Sequence, residues 1–215
     1  MKYYIFAIFL TIGLLFCGDV HAKKHIEDDF ERNRIVFNGW ITYDTYSGEV
    51  GYHYMLSNYI GVGGTLGYWR TFLSGGRASG KGWWVDEEDN DPSSLCLRPS
   101  VIIKSPKLNI FSLYAEPGIM MSIPYQKVDV ELIDHFPDNE YKRVSTNKGQ
   151  WLALDLRLGI SADFDSFGIT IGYLMSNLDT FSMFRHMSYD GVSFKNFYDK
   201  TSFRQGAFIS ASFAF

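Results

Sequence analysis

Hydrophobic and polar residues alternate with a period of two along most of the chain from Asn33 onward. Successive side chains of a β-strand point to opposite faces, so this period predicts strands rather than helices. The stretch 152–160 shows the pattern most clearly, because four leucines and an isoleucine alternate with Ala153, Asp155, Arg157 and Gly159. The sequence after the first residues therefore indicates an all-β domain.

The connections between the predicted strands alternate in length. Short turns are expected at Ser57-Asn58, around Ser105 to Lys107 and at Asp163 to Ser166, and long polar segments at about 73–93, 123–149 and 176–202. A further short connection is expected near Tyr46 to Glu49. Eight strands with short turns at one rim and long loops at the other predict a closed antiparallel transmembrane β-barrel, with short periplasmic turns and long extracellular loops.

The character of the two strand faces decides between a membrane barrel and a soluble one. One face is apolar, and the opposite face carries scattered charges and many glycines, too few charges for a water-facing surface. We therefore expect the apolar face to contact lipid and the glycine-rich face to line a narrow lumen. The alternative is a secreted soluble β-barrel that carries a ligand and packs its apolar face inward. Pro99 and Pro117 fall inside predicted strands, where we expect β-bulges.

The first residues predict export from the cytoplasm. Lys2 precedes an apolar stretch too short to span a bilayer, and Val20 and Ala22 supply small residues before a cleavage site. We expect residues 1–22 to be a signal peptide, 23–32 a polar N-terminal tail and 33–215 the barrel domain. A competing interpretation makes Cys17 the lipid-bearing residue of a lipoprotein.

The last strand places Ile209, Ala211, Phe213 and Phe215 on one face and ends in an aromatic residue. This resembles the targeting signal of Gram-negative outer-membrane barrels. Together with the hairpin layout, the chain resembles the small OmpA/OmpX-type eight-stranded barrels, a porin-like architecture of the cell envelope. The resemblance implies the cell outer membrane as location, outer-membrane lipid as surroundings, and a monomer. It also implies the barrel-assembly machinery as a partner during biogenesis, with Phe213 and Phe215 as the assembly signal.

A set of polar residues falls on the predicted lumen face. Isolated charges in a narrow, water-poor lumen would cost several kcal/mol, so we expect them to pair as a structural network rather than to conduct ions or catalyse. The set comprises His53, Arg98, Glu116, Asp155, Arg157 and Arg204.

One short motif raises an enzymatic alternative. The segment Phe184 to Asp190 contains a His-x-Ser that is similar to the lipid A 3-O-deacylases, which implies Ser188 as nucleophile and His186 as base. The family's Asn after the serine is Tyr189 here, and Gln205 lies nearest to where the acid is sought. Asp190 or Asp199 would have to substitute.

Composition narrows the remaining function classes. Twenty-four acidic against 20 basic residues give a net charge of -4, so no nucleic-acid partner is expected. The acidic run Asp86 to Asp91 lacks the spacing of a calcium loop, and we expect neither a metal nor a cofactor. Trp83 and Trp84 form either an exposed contact patch or an extension of a hairpin. The segment 127–142 either is part of a long loop or continues two strands beyond the membrane around a turn at 136–139. The sequence favours a non-enzymatic structural or surface-contact protein that meets an extracellular ligand, if any, through its long loops.

Overall fold

The computed structural model describes residues 31–72, 77–85, 90–133 and 140–215. The predicted signal peptide, Cys17 and most of the predicted polar tail lie outside these ranges. Within them, no helix has the length and apolar character needed to cross a bilayer.

Eight antiparallel strands close into a barrel, which confirms the predicted fold class. Around the barrel the order is β1, β14, β11, β10, β7, β6, β3, β2. Their bounds are β1 Asn33–Thr42, β2 Thr45–Met55, β3 Ile60–Thr71, β6 Ser93–Lys104, β7 Phe111–Ser122, β10 Leu152–Phe164, β11 Phe167–Ser176 and β14 Arg204–Ala214.

The long connections carry further strands. The prediction of loops is wrong for parts of 73–93 and 176–202, whereas the strands considered for 127–142 are present, in a sheet separate from the barrel. A separate four-stranded sheet has the order β4 (Ser79–Gly80), β5 (Trp83–Val85), β8 (Gln126–Leu132), β9 (Glu140–Thr146). The last long connection contains the small hairpin β12 (Ser188–Tyr189) and β13 (Val192–Ser193), with 3₁₀ turns at Phe184–His186 and Phe194–Asn196. We call the four-stranded sheet and residues 177–203 together the cap.

The first connection is tighter than predicted. Residues 46–49 belong to β2, and the turn is Tyr43-Asp44. The Thr42 hydroxyl donates to Asp44 Oδ1 at 3.1 Å, and the Thr45 hydroxyl donates to the same oxygen at 2.9 Å. These side-chain hydrogen bonds hold a two-residue turn, which the alternation alone does not reveal.

The expected bulges at the prolines are also wrong. Ser100 pairs with Gly118 and Leu97 with Met121 in one unbroken register between β6 and β7. Pro99 keeps its place opposite Gly64 on β3, and Pro117 opposite Leu156 on β10. Each proline removes one backbone N–H donor from the ladder but does not shift the register. The residues before and after each proline therefore keep the same inward and outward alternation.

The strands bury their polar face and expose their apolar face. On β10, Leu154 is 55% exposed, whereas Asp155 and Arg157 are 4% and 0% exposed. A soluble barrel requires the opposite arrangement, so the alternative of a secreted ligand carrier is wrong. An oily exterior around a closed ladder is the arrangement that a bilayer stabilises, because every strand edge is paired inside the protein.

Candidate functional site

Arg98 is the centre of an ionic cluster at mid-height in the barrel. Its side chain lies on β6 and donates from Nε to Asp155 Oδ2 at 2.7 Å and from Nη1 to Glu116 Oε1 at 2.5 Å. Gly118 on β7 makes room for it, since an added Cβ there would lie 2.7 Å from the guanidinium carbon. The cluster therefore joins β6, β7 and β10 across the lumen.

Arg157 extends this cluster to the opposite wall. Its Nη2 donates to Glu49 Oε1 at 2.6 Å, and its Nε lies 3.5 Å from Asp155 Oδ2. Glu49 also accepts hydrogen bonds from Trp40 Nε1 and the Thr65 hydroxyl, both at 2.9 Å. Glu49 is not among the predicted lumen residues because the sequence predicts a turn at 46–49, although Glu49 shares the inward parity of His53 on β2.

His53 lies at the edge of the same cluster. Its Nε2 is 3.7 Å from Glu116 Oε1 and has no hydrogen-bond partner among the described residues. The Tyr114 hydroxyl donates to Glu116 Oε2 at 2.7 Å. Beside His53 is a cavity of about 10 Å³, which is room for about one water molecule. This cavity is too small for more than one water molecule beside the cluster.

Arg204 belongs to a different place, the rim on the side of the long connections. It forms an ion pair with Asp44, donates to the Thr180 hydroxyl at 2.5 Å and donates from Nε to the Leu178 carbonyl at 2.9 Å. These contacts hold the start of the last long connection over the barrel mouth. At the other rim, Lys104 and Asp163 pair at 2.8 Å.

The cap has a hydrophobic core of its own. Trp83 and Val130 on the sheet are buried against aromatic residues of the last long connection. Trp83 contacts Tyr189 and Phe194 with ring centroids 5.2 and 5.9 Å apart. The core contains Ala78, Trp83, Val85, Val128, Val130, Phe181, Phe184, Met187, Phe194 and Tyr198. Three segments that are distant in sequence thus form one packed unit.

The opposite face of the cap sheet is polar. Trp84 is half-buried there, donates from Nε1 to Glu131 Oε2 at 2.8 Å, and has the Arg77 guanidinium 4.6 Å above its ring. Asp129 accepts from Arg143 Nε at 2.8 Å, and this hydrogen bond lowers the pKa of the Asp129 carboxyl. Trp83 is therefore part of the cap core, and of the two tryptophans only Trp84 lies on the face where a contact patch was predicted.

The structure does not join His186 to Ser188. Both are exposed on the cap, but His186 Nδ1 lies 2.7 Å from the Ser182 carbonyl, and Ser188 pairs with Ser193 in the small hairpin. Among the described residues no hydrogen bond links the two side chains or brings Asp190 or Asp199 to His186. The arrangement needed for an activated serine is thus not assembled here.

Two other candidate features can be placed. In the acidic run, 86–89 lie outside the described residues, and Asp91 pairs with Arg70 at 3.1 Å. No group of three potential metal ligands converges in the described ranges. Phe213 and Phe215 are exposed on the barrel exterior, where Phe213 contacts Phe167 with ring centroids 5.0 Å apart. Their role in assembly remains a prediction.

Comparisons with known proteins give distant structural similarity. No family model matches the chain, and no curated protein matches it. A major outer membrane protein from Thermus thermophilus is 13% identical over 85% of this chain and 99% of that chain, with a TM-score of 0.49. Ail of Yersinia pestis is 16% identical over 86% and 99%, with a TM-score of 0.41. Neisserial surface protein A is 8% identical over 85% and 94%, with a TM-score of 0.43.

The geometry of the chain itself determines its class. Single-chain barrels with an even number of antiparallel strands, an apolar exterior and a polar interior are the proteins of the bacterial outer membrane. All these properties are present: the closed eight-stranded ladder, the exposed apolar side chains and the buried ion pairs. The chain is thus an eight-stranded β-barrel of the outer membrane.

Proposed function

We propose that the chain is a non-enzymatic surface-contact protein in which the barrel is the anchor and the cap is the contact face. The observation that carries this proposal is the packed core of the cap, which includes Trp83 and Phe194. A connection that only links strands has no need of a shared core, whereas a contact face gains from rigidity because less conformational entropy is lost on binding.

The barrel interior supports the role of anchor. Arg98, Arg157 and Glu116 are each at most 1% exposed and are held in ion pairs, and Arg204 ties the cap to the mouth. Buried charges that are held in such pairs are unavailable for binding a substrate. An eight-stranded lumen is filled by its own side chains. We therefore expect no measurable ion conductance when the purified protein is inserted into a planar lipid bilayer.

The contact role is tested by removing the hairpin β8–β9 from the cap sheet. Gln126 and Thr146 are paired neighbours, so residues 127–145 can be replaced by a short Gly-Ser turn between them. Cells that make the wild-type protein should aggregate, or adhere to immobilised collagen or fibronectin, more than cells with an empty vector. The shortened variant should lose that adhesion at equal amounts in the outer membrane. Wild-type cells that adhere no better than the vector control would contradict the proposal.

The enzymatic alternative has its own test. Because no hydrogen bond joins His186 to Ser188 among the described residues, we expect identical lipid A mass spectra from cells that make the wild type and cells that make Ser188→Ala. A deacylated species that is present only with the wild type would establish the esterase instead.

A further inference from the structure

One lipid-facing line of side chains continues beyond the barrel into the cap. On β7 the outward positions include Ile119 and Met121, and the same alternation continues through Ile123 and Tyr125 to Lys127. All five side chains are exposed. Along this line the chemistry changes from aliphatic to aromatic to cationic, in the order in which a membrane leaflet changes from acyl chain to interface to headgroup.

Two lysines lie at the membrane-proximal end of the hairpin β8–β9. Lys127 Nζ is 5.4 Å from the centre of the Tyr125 ring. Lys148 follows Thr146, which forms the last rung of the hairpin with Gln126, and its backbone N–H donates to the Thr146 hydroxyl at 3.1 Å. Both lysines are exposed, and neither has a carboxylate partner within the described ranges.

A second exposed aromatic residue, Trp151, lies next to the end of β7. Trp151, just before β10, is exposed, and its carbonyl accepts from the backbone N–H of Ser122 at 2.8 Å. Trp151 is therefore level with Ser122 at the end of β7, three residues before Tyr125 along the chain. Aromatic rings at this height are typical of the interface between lipid and water.

Arg70 is an outward-facing cation on the same rim that, unlike the two lysines, has a carboxylate partner among the described residues. Arg70 on β3 lies two residues beyond the exposed ring of Tyr68, much as Lys127 lies beyond Tyr125. Arg70 Nη2 is 3.1 Å from Asp91 Oδ2, so its charge is already compensated within the protein. The lysines of β8–β9 have no such partner among the described residues, and their charge is available to a ligand.

We propose that Tyr125, Lys127, Lys148 and Trp151 form a binding patch for the phosphate-bearing headgroup of a lipid in the outer leaflet. The acyl chains would contact Met121 and Ile123, the rings would lie at the glycerol or sugar level, and the ammonium groups would meet the phosphates. Two exposed cations without carboxylate partners among the described residues, close in the fold to the exposed apolar end of β7, fit an anionic lipid better than a neutral one. The inference rests on the proposed placement of the cap on the cell surface, but it does not depend on any contact made by the cap.

The test uses the full-length protein in detergent micelles with purified bisphosphorylated lipid A as the probe, and native mass spectrometry measures how much lipid stays bound. Lys127→Gln combined with Lys148→Gln should reduce retention on the order of thirtyfold, since each of the two cations near a charged lipid surface contributes about 1 kcal/mol. Lys142→Gln is the matched control, because Lys142 is exposed on β9 of the same hairpin but three rungs further from the membrane than Lys127. It should retain lipid like the wild type.

Two further arms identify the ligand chemistry. Lipid A from which the phosphates have been removed should bind the wild type as weakly as the phosphorylated lipid binds the double variant. Excess inorganic phosphate should leave the lipid bound, because it cannot replace the apolar contacts. Equal retention by wild type and double variant, equal retention of the dephosphorylated lipid, or full displacement by inorganic phosphate would each overturn the proposal.

The outcome is separable from that of the proposed function. A folding check by mobility on unboiled gels should show the double variant as a compact barrel like the wild type. Lys148→Gln alone should reduce lipid retention and keep the adhesion of the wild type, because Lys148 lies outside the segment 127–145 whose removal tests the contact role. Lost lipid retention with intact adhesion supports the lipid patch alone, and failure of adhesion in both proteins contradicts only the contact role.

Discussion

The barrel and the cap arrange the same kinds of side chain in opposite ways. In the barrel Leu154 faces outward and Arg157 is buried, whereas in the cap Trp83 is buried and Arg143 is exposed. Both regions are built from antiparallel strands with alternating faces. The difference lies in the solvent, because lipid stabilises an apolar exterior and water an apolar interior. The same alternation of apolar and polar residues therefore gives an apolar exterior in the barrel and an apolar interior in the cap.

The largest effect is expected from breaking the ionic core of the barrel. Arg98→Met leaves Glu116 and Asp155 without their main cation, and loss of one partner of a buried pair costs about 3–5 kcal/mol. The loss in the free energy of unfolding is measured by urea titration in detergent micelles, with the compact band on unboiled gels as the readout. Arg143→Met removes an ion pair of the cap surface and is the control. An unfolding midpoint that does not distinguish the two variants would contradict the role of the core.

A smaller, local effect is expected from opening the core of the cap. Trp83→Ala removes a buried indole that packs on Tyr189 and Phe194, which typically costs about 3 kcal/mol. The barrel does not depend on these contacts, so the cap should become sensitive to trypsin while the barrel band remains. Trp84→Ala, on the half-buried outer face, should leave the cap resistant. Simultaneous loss of barrel and cap in Trp83→Ala would show that the two regions are one cooperative unit.

The two regions also differ in how well they can be predicted. Leu154, Asp155 and Arg157 alternate so strictly that strand, face and membrane setting all follow from the sequence. Trp83-Val85 and Val128-Val130 alternate in the same way, yet they leave the barrel, because their partners are set by pairing between connections that are distant in sequence. Glu49 and the Tyr43-Asp44 turn were missed because the turn depends on hydroxyl-to-carboxylate hydrogen bonds that a hydrophobic pattern does not contain.

A charge on the lipid-facing side should cost less than the loss of Arg98. Ile209 lies in the middle of β14 and is 57% exposed, so Ile209→Arg would place a guanidinium in hydrocarbon at about 2–4 kcal/mol. Refolding yield into phospholipid vesicles measures the cost. Ser145→Arg, an exposed position of the cap strand β9, should refold like the wild type. Equal yields would indicate that Ile209 faces water.

The smallest effect concerns pH and the cap surface. Because Arg143 lowers the pKa of Asp129 below its unfolded value, the carboxylate stabilises the hairpin β8–β9 above the unfolded pKa. This stabilisation is lost as the pH falls through the lowered folded pKa. Amide hydrogen exchange at β8 and β9 should therefore accelerate slightly on acidification. Asp129→Asn should exchange independently of pH in this range after correction for intrinsic rates, and a wild-type hairpin equally insensitive would contradict the pairing.

The orientation of the strand faces is tested most directly by methyl NMR of the wild-type protein in phospholipid nanodiscs that contain a doxyl-labelled lipid. Leu154 and Ile160 face outward, and Leu174 and Ile102 are buried in the lumen, so each outward methyl has an inward partner of the same residue type. We expect strong paramagnetic broadening of Leu154 and Ile160 and little broadening of Leu174 and Ile102. Broadening of Leu174 and Ile102 with sharp signals from Leu154 and Ile160 would contradict the account.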